Sequence, residues 1–322
     1  MINNLEISHF KSIKQLQMDC KRVNIFIGEP NTGKTNILEA ISLFSKNVTE
    51  RFKDMFRFSI VSDLFFDFDI SKHIEILVDG QKGIFQFNPQ NSEFEFKTFE
   101  NNNDFGGFSV DSKGNWKSHL PMGGERSIFP YKYRPVEIFK NNNLSNLNSP
   151  NGDNMPALLY SNPKLKKVVS GFYKEMGYRL NINPVENKIM LTKEVNDELY
   201  NYPYALLSET IKRIVFIMLA IESNKDAALL LDEPEANTFP FYTKYIAERI
   251  ALDSNQYFIT THNPYLLSSI VEKTPLNDLS VSITYMDNYE TKIYSLPPAQ
   301  IEELYDTDIF FNMDYFIADG VR

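Results

Sequence analysis

The sequence predicts an α/β protein whose parallel core sheet is built from segments near both ends of the chain. Three short apolar runs, at residues 23–27, 227–231 and 257–261, are typical of strands buried inside a parallel sheet. Residues 36–44 and 241–251 carry apolar side chains at helical spacing, so a helix is expected after each of the first two runs. The repeated order of strand, helix and strand predicts a parallel α/β core.

The remaining elements are predicted in chain order. Residues 5–10 form an opening strand, and short aromatic and β-branched stretches between residues 51 and 120 are typical of antiparallel hairpins. Residues 141–156 are rich in Asn, Ser, Pro and Gly, which predicts a loop. Residues 281–295 read as a closing hairpin and residues 299–305 as a short helix.

The length of the chain favours a core that carries a large insertion. At 322 residues it is about twice the usual domain size. The motifs of the parallel core lie in its two ends, and the hairpin region lies between them. We therefore expect a discontinuous core at residues 1–50 and 200–322, and an inserted β-rich and helical lobe at residues 51–199.

Composition excludes several classes of protein. Hydrophobic residues make up 43% and charged residues 23%, which excludes a disordered, collagen-like or disulfide-scaffold chain. The apolar run at residues 214–221 is too short to cross a bilayer, the first residues lack a secretory signal, and Cys20 is the single cysteine. We therefore expect a cytoplasmic protein without membrane association. The net charge of -9 argues against nucleic-acid binding by the protein as a whole, but leaves room for local basic patches.

Residues 28–35 form the strongest motif. They read Gly-Glu-Pro-Asn-Thr-Gly-Lys-Thr and fit the pattern G-x-x-x-x-G-K-[ST]. The motif lies between a buried strand and a helix, where backbone N–H groups can face phosphate oxygens, and this context disfavours a simple tight turn. Lys34 is predicted to reach the β- and γ-phosphates and Thr35 to bind Mg²⁺. The predicted nucleotide-binding residues of this segment are Gly28, Asn31, Thr32, Gly33, Lys34, Thr35 and Asn36.

Polar residues also follow the other two core strands. Asp232 and Glu233 end the run at 227–231, at the strand end where α/β sheets bind ligands. Asp232 is predicted to support Mg²⁺ and Glu233 to orient or deprotonate the attacking water. His262 follows the run at 257–261. Alone, the acidic pair would suggest a solvated turn and the histidine a structural residue, but their combination with a phosphate loop favours a catalytic site.

Ser208 opens a predicted helix upstream of these carboxylates. A serine at this position is an N-cap in the structural interpretation, and a donor to a terminal phosphate in the functional one. Both interpretations require the same geometry, so they are compatible.

The order of these motifs resembles the ABC-type ATPase head. The phosphate loop is followed by a long insertion, a Leu-Ser pair at a helix start, L-L-L-D-E-P-E at 229–235 and T-T-H-N-P-Y-L-L at 260–267. Residues 5–13 and 31–41 resemble more specifically the soluble prokaryotic AAA family ATPases that include RecF, SMC and the overcoming-lysogenization-defect proteins. The resemblance is to members of this group that have no Toprim domain. The expected fold is thus a P-loop ABC-type ATPase head with a parallel core sheet, an antiparallel β subdomain and a helical inserted lobe.

This resemblance implies roles for particular residues. Two heads would enclose two ATP molecules, with Ser208 of one head contacting in trans the nucleotide bound by the other. Glu233 would be the catalytic base, and His262 would sense the γ-phosphate. The sequence departs from the family in having Thr210 at a usual glycine position. A glutamine that senses the γ-phosphate is not identified, and Gln81 and Gln90 are the candidates considered.

The leading functional hypothesis is a dimeric ATP-hydrolysing switch. It would act in DNA maintenance or anti-phage defence through a separate effector, such as a nuclease or toxin subunit, or through a nucleic acid. The alternative is a nucleotide-gated scaffold with little hydrolysis that sequesters or releases a partner protein, an option that Thr210 keeps open. A self-sufficient nuclease is disfavoured, because scattered tail acids are typical of a solvated face; these are Asp306, Asp308 and Asp314.

One segment could contact a nucleic acid. It combines basic residues with nearby aromatic side chains, namely Lys164, Lys166, Lys167, Lys174 and Arg179 with Phe172, Tyr173 and Tyr178. The alternative interpretation is an amphipathic helix with a solvated basic face.

Overall fold

The computed structural model describes residues 1–45, 47–100, 103–120, 126–136, 138–140 and 145–321. The strands and helices, in chain order, are β1 (Asn4–Phe10), β2 (Ile13–Asp19), β3 (Val23–Ile27), α1 (Lys34–Ser42), α2 (Val48–Met55), β4 (Ile74–Val78), β5 (Gln81–Asn88), β6 (Glu93–Glu100), β7 (Asn103–Val110), β8 (Trp116–Leu120), β9 (Ile128–Tyr131), α3 (Met155–Ser161), α4 (Pro163–Glu175), β10 (Arg179–Asn183), β11 (Lys188–Val195), β12 (Glu198–Pro203), α5 (Glu209–Glu222), β13 (Ala228–Asp232), α6 (Pro240–Leu252), β14 (Gln256–Thr260), α7 (Pro264–Lys273), β15 (Leu279–Asp287), β16 (Glu290–Ser295), α8 (Pro298–Glu303) and α9 (Met313–Val321).

The core sheet has the strand order β16-β15-β3-β14-β13-β9. Neighbouring strands from β15 to β9 pair in parallel, and β16 pairs with β15 antiparallel. This sheet and the helices that cover it confirm the predicted α/β fold. Strand β9 was not predicted. It lies within the segment expected to be inserted, yet it pairs in parallel with β13 and forms an edge of the core sheet.

Both faces of the core sheet are buried. Val23, Ile25 and Ile27 of β3 pack into a hydrophobic cluster that includes residues of α5, α6 and α7. Phe26 points to the opposite face and packs into a second cluster, which includes residues of α1 and of the antiparallel sheet. Because neither face meets water, the core strands are apolar at consecutive positions rather than at alternate ones.

An antiparallel sheet with the order β2-β1-β4-β5-β6-β7-β8 lies on the far side of α1. Its interior is rich in phenylalanine rings in tilted, stacked and edge-on contact, with centroids 4.7 to 6.5 Å apart. The members of this ring cluster are Phe44, Phe52, Phe56, Phe58, Phe65, Phe85, Phe87, Phe94, Phe96 and Phe108. This sheet corresponds to the predicted antiparallel β subdomain.

The helical part of the predicted insertion is α3 and α4, followed by the antiparallel sheet β10-β11-β12. The loop predicted at 141–156 is shorter, since α3 begins at Met155, and residues 141–144 lie outside the described residues. The described loop residues are not all solvent-exposed: Asn148, Asp153 and Asn154 are buried. Arg51 of α2 donates to Asp153 at 2.6 Å, which ties this loop to the helix that follows α1.

No helix in the described part of the chain combines the length and the hydrophobicity needed to span a bilayer.

Candidate functional site

The phosphate-loop motif connects β3 to α1, as the sequence predicts. The backbone φ angle is positive at Gly28 (150°), Asn31 (63°) and Gly33 (90°), so the chain folds tightly between the strand and the helix. Gly33 precedes the first turn of α1, whose amide groups lack a side-chain cap. Free amide groups at a helix N-terminus are a common binding site for phosphate oxygens.

The β15–β16 hairpin holds this loop from one side. A β carbon added at Gly28 would lie 2.2 Å from the Thr284 carbonyl oxygen, and one at Gly33 would lie 2.2 Å from Thr291 Oγ1. Thr32 Oγ1 lies 2.7 Å from Thr284 Oγ1 and 2.9 Å from the carbonyl oxygen of Glu29. The glycines are therefore required by close packing as well as by backbone conformation.

Lys34 and Asn36, two of the predicted nucleotide-binding residues, form hydrogen bonds with the phosphate loop and with the turn beside it. Lys34 Nζ donates to the carbonyl oxygens of Gly28 (2.9 Å) and Glu29 (2.7 Å). Burial lowers the pKa of Lys34 to about 8, although the nearby carboxylates of Glu233 and Asp232 act in the opposite direction. Asn36 Nδ2 donates to Ser12 Oγ at 2.8 Å, so this side chain braces α1 against the turn between β1 and β2.

Asp232 at the end of β13 joins the core strands to the phosphate loop. Its Oδ1 accepts the hydroxyl hydrogens of Thr35 (2.9 Å) and Thr260 (2.8 Å), and its Oδ2 accepts from Lys132 Nζ at 2.5 Å. Burial raises the pKa of Asp232, but the charge of Lys132 and these hydrogen bonds outweigh burial and hold it below its usual value. The carboxylate is therefore ionised at neutral pH.

Glu233 and His262 face each other next to this cluster. Glu233 adopts a left-handed conformation (φ 47°) that its backbone hydrogen bond to the Thr260 carbonyl oxygen, 3.1 Å, helps to maintain. His262 Nε2 lies 3.6 Å from Glu233 Oε1, and both side chains are partly exposed. Burial and the charge of Lys34 lower the pKa of His262, which keeps the ring neutral at pH 7.

Glu235 is a buried acid that sequence reasoning did not single out. Thr261 donates its hydroxyl hydrogen to Oε1 of Glu235, and Oε2 has no hydrogen-bond partner among the described residues. Burial raises the pKa of Glu235 to about 7, and the neighbouring charge of Glu233 adds to this effect. The third acid of the D-E-P-E run was the available sequence signal for this residue.

Ser208 is the N-cap of α5, in agreement with its structural interpretation. Its Oγ accepts from the backbone N–H of Ile211 at 3.3 Å. Thr210, at the usual glycine position of the family, donates its hydroxyl hydrogen to the carbonyl oxygen of Asn237 at 2.8 Å. The start of α5 is thereby tied to the turn that follows Asp232 and Glu233 in the same chain.

The two candidate glutamines both belong to the antiparallel β subdomain. Gln81 begins β5 and accepts from Arg126 Nε at 3.1 Å, and Gln90 lies in the exposed turn between β5 and β6.

The residue beside Asp232 at the end of the adjacent strand is Lys132, which sequence reasoning missed. Within the residues that the structure covers, no group of three or more His, Cys, Asp or Glu side chains is arranged to hold a metal ion.

Residues 163–175 of the basic segment form the amphipathic helix α4, and Arg179 begins strand β10. Leu165, Val169 and Tyr173 of α4 are buried. The ring of Phe172 packs against that of Tyr242, with 6.2 Å between the ring centroids. The rings of Phe172 and Tyr173 therefore pack within the protein, and they are not available to stack on nucleic-acid bases. The tail acids Asp306, Asp308 and Asp314 are exposed, as expected for a solvated face.

The structure is similar to solved heads of Smc proteins. The Smc head bound to the C-winged helix domain of ScpA aligns with a TM-score of 0.56 and 16% identity, over 94% of this chain and 99% of that chain. An Smc head with an extended coiled coil, bound to the C-terminal domain of ScpA derived from Pyrococcus furiosus, aligns with a TM-score of 0.52 and 14% identity, over 95% and 98% of the two chains. These likenesses confirm the ABC-type ATPase head fold.

Sequence comparison identifies the family. No curated protein matches the chain. The family profile described as "AAA domain, putative AbiEii toxin, Type IV TA system" matches residues 23–268, from the first core strand into α7. The chain therefore belongs to this family of AAA domains, with the fold of an ABC-type ATPase head.

Proposed function

We propose that the protein binds and hydrolyses ATP with Mg²⁺, and that two copies close around the nucleotide as a switch. The observation that carries this proposal is the 2.9 Å hydrogen bond between the Thr35 hydroxyl and the Asp232 carboxylate. This bond joins a phosphate-binding loop to an acidic strand end, and Glu233 and His262 lie at the same edge of the sheet. Such a combination suits phosphoryl transfer to water.

ATP binding is assigned to the phosphate loop. The first amide groups of α1 and the ammonium group of Lys34 carry positive charge that can balance the β- and γ-phosphates. Gly28 and Gly33 allow phosphate oxygens to approach the backbone closely, and Asn31 and Thr32 complete the turn. The side chain of Asn36 supports the loop from behind through Ser12.

Thr35 and Asp232 are the residues proposed to hold the metal. Their hydroxyl and carboxylate oxygens are hard donors that suit Mg²⁺, and the 2.9 Å separation between Thr35 Oγ1 and Asp232 Oδ1 brings them to one point. In nucleotide-binding proteins, Mg²⁺ is usually bound by one or two protein groups together with the substrate phosphates. The single carboxylate of Asp232 and the hydroxyl of Thr35 fit this pattern. When bound, the metal supplies charge neutralisation to the phosphates.

Glu233 is proposed as the base and His262 as its neutral neighbour. The Glu233 carboxylate can accept a proton from a water molecule that attacks the γ-phosphate. His262, whose pKa lies below the usual value, can donate a hydrogen bond to the γ-phosphate without adding a full charge. Oε1 of Glu233 and Nε2 of His262 are 3.6 Å apart, so both groups can contact the same water or phosphate oxygen.

A second copy is proposed to cover the face that carries Ser208. Several large apolar side chains are exposed within a few positions of Ser208, Asn237 or His262 in the sequence. They are Leu206, Phe239, Phe241 and Tyr265. The hydrogen bond between Thr210 and the Asn237 carbonyl brings two of these segments together on one surface. A surface of this kind is typical of a protein interface, and it would bring Ser208 to the nucleotide of the partner head in trans.

The output of the switch is proposed to pass to a separate effector in the cytoplasm. The family description names a putative AbiEii toxin and a Type IV toxin–antitoxin system, which supports a role in a toxin–antitoxin context. We propose that this context is anti-phage defence and that the partner is a toxin or nuclease subunit. The similar Smc heads are bound to ScpA, which supports partner binding by a head of this fold. DNA maintenance remains the second branch of this proposal, with the exposed lysines of α4 as the surface for a nucleic acid.

A scaffold with little hydrolysis is the alternative that Thr210 favours. Its side chain occupies a position where the family usually has glycine, and it is already bonded to Asn237 in its own chain. The test is to measure ATP affinity and phosphate release on the same preparation. Tight binding with steady release supports the ATPase, tight binding without release supports the scaffold, and lack of ATP binding contradicts both.

A further inference from the structure

Lys132 lies beside Asp232 because two core strands end together. Tyr131 of β9 pairs with Leu231 of β13 in parallel register, so the next residues of both strands leave the sheet side by side. The backbone N–H of Lys132 donates to the carbonyl oxygen of Pro150 at 2.9 Å, which fixes its main chain. The Lys132 side chain is 36% exposed and 13% of the Asp232 side chain is exposed, so the pair is only partly screened by water.

The two carboxylate oxygens of Asp232 have different partners. Oδ1 accepts from Thr35 and Thr260, the hydroxyl groups on the side of the phosphate loop and of β14. Oδ2 accepts from the Lys132 ammonium group at 2.5 Å, a short charge-assisted hydrogen bond. The carboxylate assigned to the metal is thus already paired with a cation.

We propose that the Lys132 ammonium group occupies the cation position at Asp232 and competes there with the divalent metal, so that nucleotide binding depends on Mg²⁺ less than it would with a free carboxylate. This inference rests on the proposed ATP site. A divalent cation at Thr35 and Asp232 would meet a positive charge bonded to the same carboxylate, and the two cations repel each other. In turn, the ammonium group supplies positive charge near the phosphates when metal is absent.

The charges of the described site agree with this reading. The charges of Glu233 and Asp232 act on Lys34, and Lys132 is paired with Asp232, so both acids already have a cation nearby without a metal. If an uncharged side chain replaced Lys132, Asp232 would lose its cationic partner beside the phosphates of ATP, and a divalent cation would be needed to balance the Asp232 charge. Lys132 therefore sets how strongly metal and nucleotide binding are coupled.

The test compares ATP affinity in Mg²⁺ and in EDTA by isothermal titration. Lys132→Met removes the charge with little change of shape, and Lys132→Arg keeps the charge. Lys82→Met is a matched control, because Lys82 is 38% exposed and forms a 2.6 Å ion pair with Glu75 on the antiparallel sheet. We expect the ratio of the Kd in EDTA to the Kd in Mg²⁺ to rise about tenfold in Lys132→Met and to stay near the wild-type value in the other two variants.

A second measurement separates this inference from the proposed function. Binding of Mn²⁺ without nucleotide, followed by electron paramagnetic resonance, should strengthen about tenfold in Lys132→Met, because Asp232 has lost its competing cation. If the wild-type protein binds no ATP, the proposed function fails and Mn²⁺ affinity alone decides the present inference. An unchanged Mn²⁺ affinity, or an unchanged Kd ratio where ATP binds, overturns it. Lys132→Gln replaces the methionine variant if that variant does not fold, as judged by its melting transition.

Discussion

The hydroxyl group of Thr35 donates to Oδ1 of Asp232 at 2.9 Å, although 197 positions separate the two residues in the sequence. Parallel strand pairing produces this contact: β3 precedes the phosphate loop, β13 ends in Asp232, and β14 lies between them and contributes Thr260. The carboxyl ends of these strands meet at one edge of the sheet, where the groups assigned to metal and phosphate are collected.

Replacing Thr35 with valine tests the metal assignment. The substitution keeps the shape and removes the hydroxyl group, so ATP affinity in Mg²⁺ should fall by one to two orders of magnitude, roughly the 1.5–3 kcal/mol of an interaction with a charged group. Affinity in EDTA should change little. Thr98→Val is the control, because Thr98 is a buried threonine whose hydroxyl donates to Gly106 in the antiparallel sheet. Equal losses with and without Mg²⁺ would assign Thr35 a structural role.

The substitution His262→Ala should lower turnover more than ATP affinity. A neutral donor next to Glu233 helps in the transition state, so we expect phosphate release to slow by roughly a hundredfold while the Kd for ATP changes by less than about fivefold. His73→Ala is the matched control, because His73 lies 3.3 Å from Glu75 on the antiparallel sheet. A parallel loss of affinity and turnover would instead indicate a histidine that only supports the fold.

The buried acid Glu235 predicts a pH-dependent stability. Its pKa is raised from 4.5 to about 7 in the folded protein, so its contribution to stability is fully present below about pH 4.5 and is lost as pH rises through 7. Glu235→Gln keeps the acceptor for Thr261 and removes the titration. Relative to wild type, the variant should gain about 3 kcal/mol of unfolding free energy at pH 8 and almost none at pH 4.5. Urea unfolding at the two pH values measures this difference, and an equal effect at both would refute it.

The parts of the site that are local in sequence could be predicted. The phosphate loop is flanked directly by β3 and α1, so residues 28–35 carry both the motif and its context. Asp232, Glu233 and His262 were found because they follow apolar runs, and strand ends gather at one edge of a parallel sheet. Their proposed roles in ATP hydrolysis stay predictions that the variants described here test.

Lys132 could not be predicted because its strand is hard to recognise. Strand β9 has only four residues and contains Pro130, a residue that argues against a strand unless the strand lies at a sheet edge. The structure places β9 at the edge next to β13, and only this pairing brings Lys132 to Asp232. The contacts of Gly28 and Gly33 with the β15–β16 hairpin were missed for a similar reason, since they join segments about 250 residues apart.

The sequence left two interpretations open for the aromatic residues near the lysines of α4, and the structure favours the amphipathic helix. Tyr173 is buried, and the ring of Phe172 packs against the rings of Tyr242 and Tyr245 of α6. Aromatic side chains at helical spacing next to Leu165 and Val169 indicate the buried side of an amphipathic helix.

The most direct test of the central claim is ATP-dependent dimerisation of Glu233→Gln. This variant keeps the size of the side chain and removes the proposed base, so ATP should persist between two heads while turnover falls by at least roughly a hundredfold. Multi-angle light scattering should give a monomer mass near 37.4 kDa without nucleotide and twice that mass with Mg·ATP. Adding Lys34→Met to the same variant should restore the monomer. Full ATPase activity in Glu233→Gln, or a mass that does not respond to ATP, would contradict the account.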